Sequence, residues 1–293
     1  MIARQLRPAD SFIADTDLII NPDGSVYHLG VQEDQVADDI WVVGDPERVP
    51  LISRHLDRVD VEIQRREFVI HTGELNGKRL SIVSSGIGVD NIDILINELD
   101  AVVNIDFKKR CVKDQLRKLR FLRLGTSGAI QPDIELGTIV ASKYAFGIDG
   151  VANSYEHEFH PNEVSLMQAL REAGRQETGL YASEGSDLLL QQYPIFSELG
   201  ITFTANGFYG PQGRSVRLKS KNDALTWEQS FRFQGLSITN FEMECAGLYG
   251  LASLLGHDAL TCCVILANRA NRTFSAQAPA LAEQLIQSAL HAF

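Results

Sequence analysis

The sequence predicts a layered α/β domain on a mostly parallel sheet. Three observations carry that reading: apolar runs of strand length alternate with helix-patterned segments, glycines close several of those runs, and no repeat, low-complexity tract or linker divides the 293 residues. A polar leader (1–25) comes first, with a turn at Asp23-Gly24 inside "INPDGSVYHLG", and a single domain occupies 26–293. "IWVVG" (40–44) is an apolar strand ending on glycine. "EFVIHTGELNGKRLSIVSSG" (67–86) reads as a hairpin turning at Asn76-Gly77, a pair suited to positive φ. Helical patterns cover 90–103 and 106–118, the second amphipathic and basic. "RFLRLGTSG" (120–128) is a strand running into a glycine-bearing loop, and "GTIVASKYAFG" (137–147) is a further strand. Pro161 and Asn162 open a helix to 177, and shorter strands fill 178–205. A helix (240–255), a strand (259–267) and a last helix (278–291) complete the alternation. Ligands of such folds sit beyond the carboxyl ends of strands, where Gly44, Gly86–Gly88 and Gly125–Gly128 fall.

Composition narrows the function classes. Hydrophobic residues make up 44% and charged residues 22%, as in a globular protein, and the net charge of -11 argues against a nucleic-acid binder, which needs a basic face. No apolar stretch approaches the roughly 20 residues of a membrane span, and the amino terminus lacks a secretory pattern. Cys111, Cys245, Cys262 and Cys263 have no metal-ligand spacing, and two of them lie inside the apolar run "LTCCVILA". Reduced thiols in a cytoplasmic protein are the expectation, with no metal and no membrane or nucleic-acid partner.

Several motifs can carry chemistry, each beside a plainer reading. In "VVGDPERV" (42–49), Gly44 lets backbone N–H groups approach an oxyanion and Arg48 follows in a first helical turn; a solvated strand-to-helix turn explains the same residues. Arg123 stands inside the apolar strand of "FLRLGTSGAI", where a charge is costly unless paired; it either shares an anion with Thr126 and Ser127 or makes a structural ion pair. "NFEMECAGLYG" sets Glu242 and Glu244 around Met243 beside an apolar helix, a pair suited to the cis-diol of a ribose, although helix-dipole preference explains one of them. "NGFYGPQGR" (206–214) holds Phe208, Gln212 and Arg214 on a segment broken by glycines and a proline: either a turn or a clamp for a flat polar ligand. "ILANRANRTF" puts Arg269 and Arg272 on a loop after a buried strand, and His28 lies in "YHLG" after the leader.

The order "YHLG", "VGDPERV", "RREF", "SSGIG", "FLRLGTSGAI", "FYGPQGR", "FEMECAG", "ILANR" resembles the nucleoside phosphorylase family, its uridine-cleaving branch above all, over roughly residues 26 to 291. The resemblance implies a three-layer α/β/α sandwich whose central mixed sheet is partly barrel-like, and the reversible conversion of uridine and phosphate into uracil and ribose 1-phosphate. It implies a phosphate site of Gly44, Arg48, Arg123 and Thr126, with Arg66 lent by a neighbouring subunit. The ribose would meet Glu244, Met243, Glu242 and Thr126, with His28 reaching across a homodimer interface toward the 5′-hydroxyl. The base would stack on Phe208 and be read by Gln212 and Arg214, with Arg269 ordering that end; Arg123, Glu244, Arg214 and Gln212 would bear on the chemistry. No cofactor is implied, phosphate being a substrate. Relatives can hold an interface potassium ion on a glutamate matched by Glu67, but the partnering serine is Asn91 here, and no ion is assigned. The proline usual before the phosphate-loop glycine is also missing, and segments 1–25 and 104–119 are longer than in compact bacterial members, which favours a dimer over a hexamer.

Base preference has an argument of its own. Expelling a purine is helped by a carboxylic acid at N7, and purine-cleaving relatives place an aspartate after the last core strand. Here no Asp or Glu occurs between Ala259 and Ala282, and a Gln/Arg pair suits the carbonyls of a pyrimidine.

Overall fold

The computed structural model describes residues 6–8, 10–156, 158–221 and 226–293; of the leader, residues 1–5 and 9 lie outside the described residues. The first half contains β1 (Asp39–Val43), α1 (Arg48–Ser53), β2 (Arg58–Arg65), β3 (Phe68–Leu75), β4 (Lys78–Ser84), α2 (Val89–Asn104), the short strands β5 (Ile105–Asp106) and β6 (Cys111–Val112), and β7 (Arg120–Ala129). Then come β8 (Ile139–Gly147), α3 (Pro161–Glu172), β9 (Tyr181–Glu184), α4 (Asp187–Gln192), β10 (Glu198–Thr204), α5 (Thr226–Ser230) and β11 (Arg232–Phe233). The chain finishes through β12 (Leu236–Glu242), α6 (Cys245–Leu255), β13 (Asp258–Asn268), β14 (Thr273–Phe274) and α7 (Ala278–Ala292).

Twelve strands form one sheet in the order β11-β12-β10-β8-β13-β7-β1-β4-β3-β2, with β9 on β8 and β14 on β13. The sheet is mixed, as the resemblance implied, rather than mostly parallel as the alternation alone suggested. β7 lies parallel to β1 and β13, whereas β8–β13, β2–β3 and β3–β4 are antiparallel. β12 also pairs with β7 through Asn240↔Ala129 and Phe241↔Gly128, so β12, β10, β8, β13 and β7 close into a ring. Strand alternation gives the sheet two apolar faces. Ile40 and Val42 of β1 enter the core shared with α2, α3 and α6, whereas Trp41 and Val43 enter the one shared with α1, α4 and α7. The result is the three-layer sandwich.

Local chemistry explains where pattern reading and structure part. The basic stretch 106–118 is not a helix: β5 and β6 form a hairpin in which Asp106 Oδ1 accepts the N–H groups of Lys108 (2.9 Å) and Lys109 (3.0 Å), and Arg110 adopts a φ of 54°. An Asx turn of this kind competes directly with helical hydrogen bonding. The cations that mimicked a polar helix face tie down neighbouring chain instead, Arg110 on the carbonyls of Ile13 and Ala14 and Arg117 on Val36 and Asp38. The expected helix 240–255 begins only at Cys245, because β12 runs to Glu242. Gly125–Gly128 lie within β7, not in a loop, since β13 continues beside them and β12 covers Gly128. The helix from Pro161 stops at Glu172, before Gly174 at φ 97°; the stretch 178–205 holds α4 between its strands. The hairpin at Asn76 (φ 53°) and Gly77 (φ 76°) forms as expected, and β2 pairs beyond it as an edge strand absent from the sequence-based alternation.

Candidate active site

Strand ends bring most of the candidate residues together. Gly44 follows β1, Gly86–Gly88 follow β4, Arg123 and Thr126 stand on β7, Glu242 ends β12, and Glu244 caps α6. Arg123, 3% exposed, sits at the centre. Its Nη1 lies 3.1 Å from Glu242 Oε2, and its Nη2 pairs closely with Glu244 Oε2. The structural ion pair left open by the sequence is therefore formed. Burial opposes the Arg123 charge, but Glu244 and then Glu242 outweigh it and hold the guanidinium well above its ordinary pKa. Space for it is made by Gly125, two residues on along the same strand face: a Cβ there would meet Arg123 Nη1 at 2.5 Å and Cys263 Sγ at 2.7 Å.

The two glutamates divide their work. Glu242 accepts from Thr204 Oγ1 (2.6 Å) and from the N–H groups of Glu244 and Cys245 (both 2.9 Å), which with Arg123 commits its acceptor capacity to the protein. Burial pushes this carboxyl above its ordinary pKa, with Arg123 pulling the other way. Glu244 Oε1 accepts from the N–H of Gly88 (2.7 Å), tying the loop after β4 to the start of α6. Met243 beside it is half-buried.

Arg48 differs from Arg123 in having no ion-pair partner among the described residues. Its Nη1 donates to the Leu124 carbonyl (3.2 Å), and burial, then the neighbouring Arg123 charge, pulls its pKa below the ordinary arginine value. Gly44 is close by: a Cβ there would stand 3.5 Å from Arg48 Nη2 and 3.3 Å from the Gly86 carbonyl. A desolvated guanidinium with no ion-pair partner among the described residues, beside glycine backbone, has the chemistry to take an anion, and Thr126 stands half-buried on β7.

The second cluster rests on the loop 206–214. A single 3-10 turn, Gly210–Gln212, closes with Gly213 at φ 69° and brings Gln212 and Arg214 side by side. Arg214 Nη1 donates to the Phe208 carbonyl (2.6 Å) and to Gln212 Oε1, and its Cζ lies 3.8 Å from the Phe208 ring centroid. Among the described residues no acceptor meets Gln212 Nε2, which leaves it as a donor. Arg269 Nη1 holds the Gln212 carbonyl (2.9 Å), and its own N–H bonds Ala129 at the end of β7. Burial and then Arg269 bring the Arg214 pKa down to about 10; burial lowers that of Arg269 too. A Cβ on Gly128 would lie 3.8 Å from Arg214 Nη2, so the clamp abuts β7.

Two candidates stand apart within this chain. His28 lies against α2, its Nδ1 2.5 Å from Glu98 Oε1, and Arg66 is exposed in the β2–β3 turn at φ 54°. Arg272 is exposed beyond β13. Motif reading missed Thr204, which accepts from the N–H of Ala246 (2.9 Å) while donating to Glu242, and the buried Asn240, Thr202 and Ser142, a hydrogen-bonded chain that ends on the half-buried Ser127. Hydroxyls recurring at alternate positions of apolar strands are the only trace of these in the sequence. A cleft of about 1060 Å³ opens at the amino ends of β1, β4 and β7, away from these residues; its Arg117 and Arg120 are already paired with Asp38 and Asp39.

Comparison with known proteins agrees with the geometry. A uridine phosphorylase of Thermococcus kodakarensis is 32% identical over 252 residues, 86% of this chain and 80% of that protein. A DeoD-type purine nucleoside phosphorylase of Alkaliphilus metalliredigens is 27% identical over 242 residues, 80% of this chain and 84% of that protein. Among solved structures, a Trypanosoma brucei nucleoside phosphorylase described as showing uridine phosphorylase activity superposes with a TM-score of 0.85 at 26% identity, covering 94% of this chain and 99% of that one. The sequence profile of the phosphorylase superfamily matches residues 40–293, and the chain belongs to that superfamily.

Proposed function

We propose that this chain catalyses the reversible phosphorolysis of uridine, giving uracil and ribose 1-phosphate. The observation that carries the proposal is a desolvated guanidinium in each cluster without a carboxylate partner among the described residues, Arg48 beside Arg123 and Arg214 beside Arg269. Each waits for an anion. Phosphate suits the first, with Gly44, Arg123 and Thr126. The second suits the negative charge that grows on a departing pyrimidine, Phe208 supplying an apolar face and Gln212 Nε2 a donor. Met243 and Glu244 lie toward the ribose.

In this reading the C1′–N1 bond breaks with its electron pair going to uracil, and a phosphate oxygen forms the new C1′–O bond. Glu244 orients the sugar through its hydroxyls, Glu242 holds Arg123 in place, and Arg214 with Gln212 stabilises the leaving base. His28 and Arg66, which lie apart within one chain, fit a homodimer in which each subunit completes its neighbour's site. A cytoplasmic location belongs to the same proposal; three of the four thiols are buried.

Inosine is the second reading, favoured by the purine phosphorylase relative and opposed by the absence of any acid between Ala259 and Ala282. Uridine, thymidine, inosine and methylthioadenosine, each with and without phosphate, separate the readings by the free base released. Uracil released only with phosphate is the expected result; hypoxanthine as the main product, or release independent of phosphate, would overturn the proposal.

A further inference from the structure

The Glu98 carboxylate collects three N–H groups from one short segment. Its oxygens accept the backbone N–H of His28 (3.0 and 3.1 Å) and of Leu29 (2.9 Å), and Oε1 lies 2.5 Å from His28 Nδ1. The Glu98 side chain is 12% exposed and stands on α2, a helix packed into the core through Leu95, Ile96 and Leu99. The segment is pinned from its other side as well: Arg65 passes over Gly30, where a Cβ would meet its Nε at 2.4 Å, and donates to the Tyr27 carbonyl (3.4 Å). The ring edge of His28 also packs against Tyr27, with centroids 4.7 Å apart.

A carboxylate accepts hydrogen bonds and cannot donate them, so the contact requires a hydrogen on Nδ1. In the neutral imidazole Nε2 is then an acceptor. No group among the described residues meets Nε2, and the side chain remains 28% exposed. We infer that Glu98 is a positioning residue that fixes the tautomer and direction of His28, presenting Nε2 as the acceptor for a hydroxyl donated by the substrate. This rests on the uridine reading, in which that hydroxyl is the 5′-OH of a nucleoside bound to the partner subunit. Glu98 itself touches no reacting atom.

The test compares kcat/KM for uridine and 5′-deoxyuridine in the wild type, Glu98→Gln, His28→Ala and the double variant. A glutamine has one acceptor oxygen for the three N–H groups, and its NH2 can donate to Nδ1 and so move the ring hydrogen to Nε2. The preference for uridine is expected to fall roughly tenfold in Glu98→Gln, toward that of His28→Ala, and to fall no further in the double variant, the scale of one lost hydrogen bond. An equal loss for both nucleosides, or the same additional loss in the His28→Ala background, would show that Glu98 only supports the fold. A wild type that cleaves neither nucleoside would sink the uridine reading alone, because nitrogen NMR of the labelled wild-type protein reads the His28 tautomer without turnover. Hydrogen on Nδ1 with none on Nε2 is expected there, and hydrogen on Nε2 would overturn the inference.

Discussion

Arg123 and Arg48 show how two neighbouring arginines take different roles. Arg123 is neutralised by Glu242 and Glu244 and is part of the frame, whereas Arg48 is desolvated beside another cation and has no ion-pair partner among the described residues. Removing an uncompensated buried charge relieves the folded state. Arg48→Ala should therefore leave the phosphate-free protein equal in stability or firmer by roughly 0.5–2 kcal/mol. It should also abolish the stabilisation that phosphate gives the wild type, about 2.7 kcal/mol at a hundredfold excess over Kd. Thermal melts with and without phosphate measure both. Arg214→Ala should cost ~10²–10³ in kcat for uridine with the melting temperature little changed, because among the described residues Arg214 bonds only within its own loop; kinetics equal to wild type would remove it from the base site. At this scale the candidate site was legible wherever a residue was chemically out of place, such as an arginine in an apolar strand. Thr204 and Glu98 escaped notice because a hydroxyl in a strand and a glutamate on a helix are ordinary, and only the fold shows what they hold.

Among the elements, α3 carries a consequence for pH. Glu163 completes a capping box, accepting the His160 N–H (2.7 Å), and reaches β9 through the Glu184 N–H (3.2 Å). Burial nonetheless pushes this carboxyl from near 4.5 up to about 7, against those two hydrogen bonds. With the folded pKa above the unfolded one, the folded state keeps a proton across that window that the unfolded chain has released. Stability is then fullest below the lower value and is lost as pH rises through the upper one, by at most about 3 kcal/mol. Denaturant midpoints on either side of the window should differ in the wild type and differ less in Glu163→Gln, Glu242 retaining its own share; a difference unchanged by the substitution would show that Glu163 is ionised throughout. Elements with one strong local signal were the legible ones: the Asn76-Gly77 hairpin, the strand at 40–44 and the helix opened by Pro161. The stretch 106–118 was misread because its cations imitate a helix face while an Asx turn at Asp106 dictates the backbone. The start of α6 was misread because Glu242 and Glu244 resemble the acids that open a helix, whereas Glu242 is the last residue of β12.

For the whole molecule, the closed ring of β12, β10, β8, β13 and β7 is what aligns the chemistry. The β7–β12 pairing sets Gly128 against Phe241, bringing the strand of Arg123 beside the strand that ends in Glu242. That closure is long-range, and alternation of strands and helices does not reveal it; the order of motifs along the chain did. The proposed sharing of sites between subunits is tested at this scale. Arg66→Ala and Arg123→Ala chains, each inactive alone, should recover about a quarter of wild-type activity once mixed in equal amounts and exchanged, since half of the mixed dimers' sites are then complete. Persistent inactivity after confirmed exchange would count against sharing of the site between subunits. The most direct test of the account is phosphorus NMR of the protein turning over uridine in phosphate. Conversion of the phosphate resonance into that of ribose 1-phosphate, in equal measure with the uracil released, is the predicted result. Uracil accumulating with free ribose while phosphate stays unchanged would contradict it.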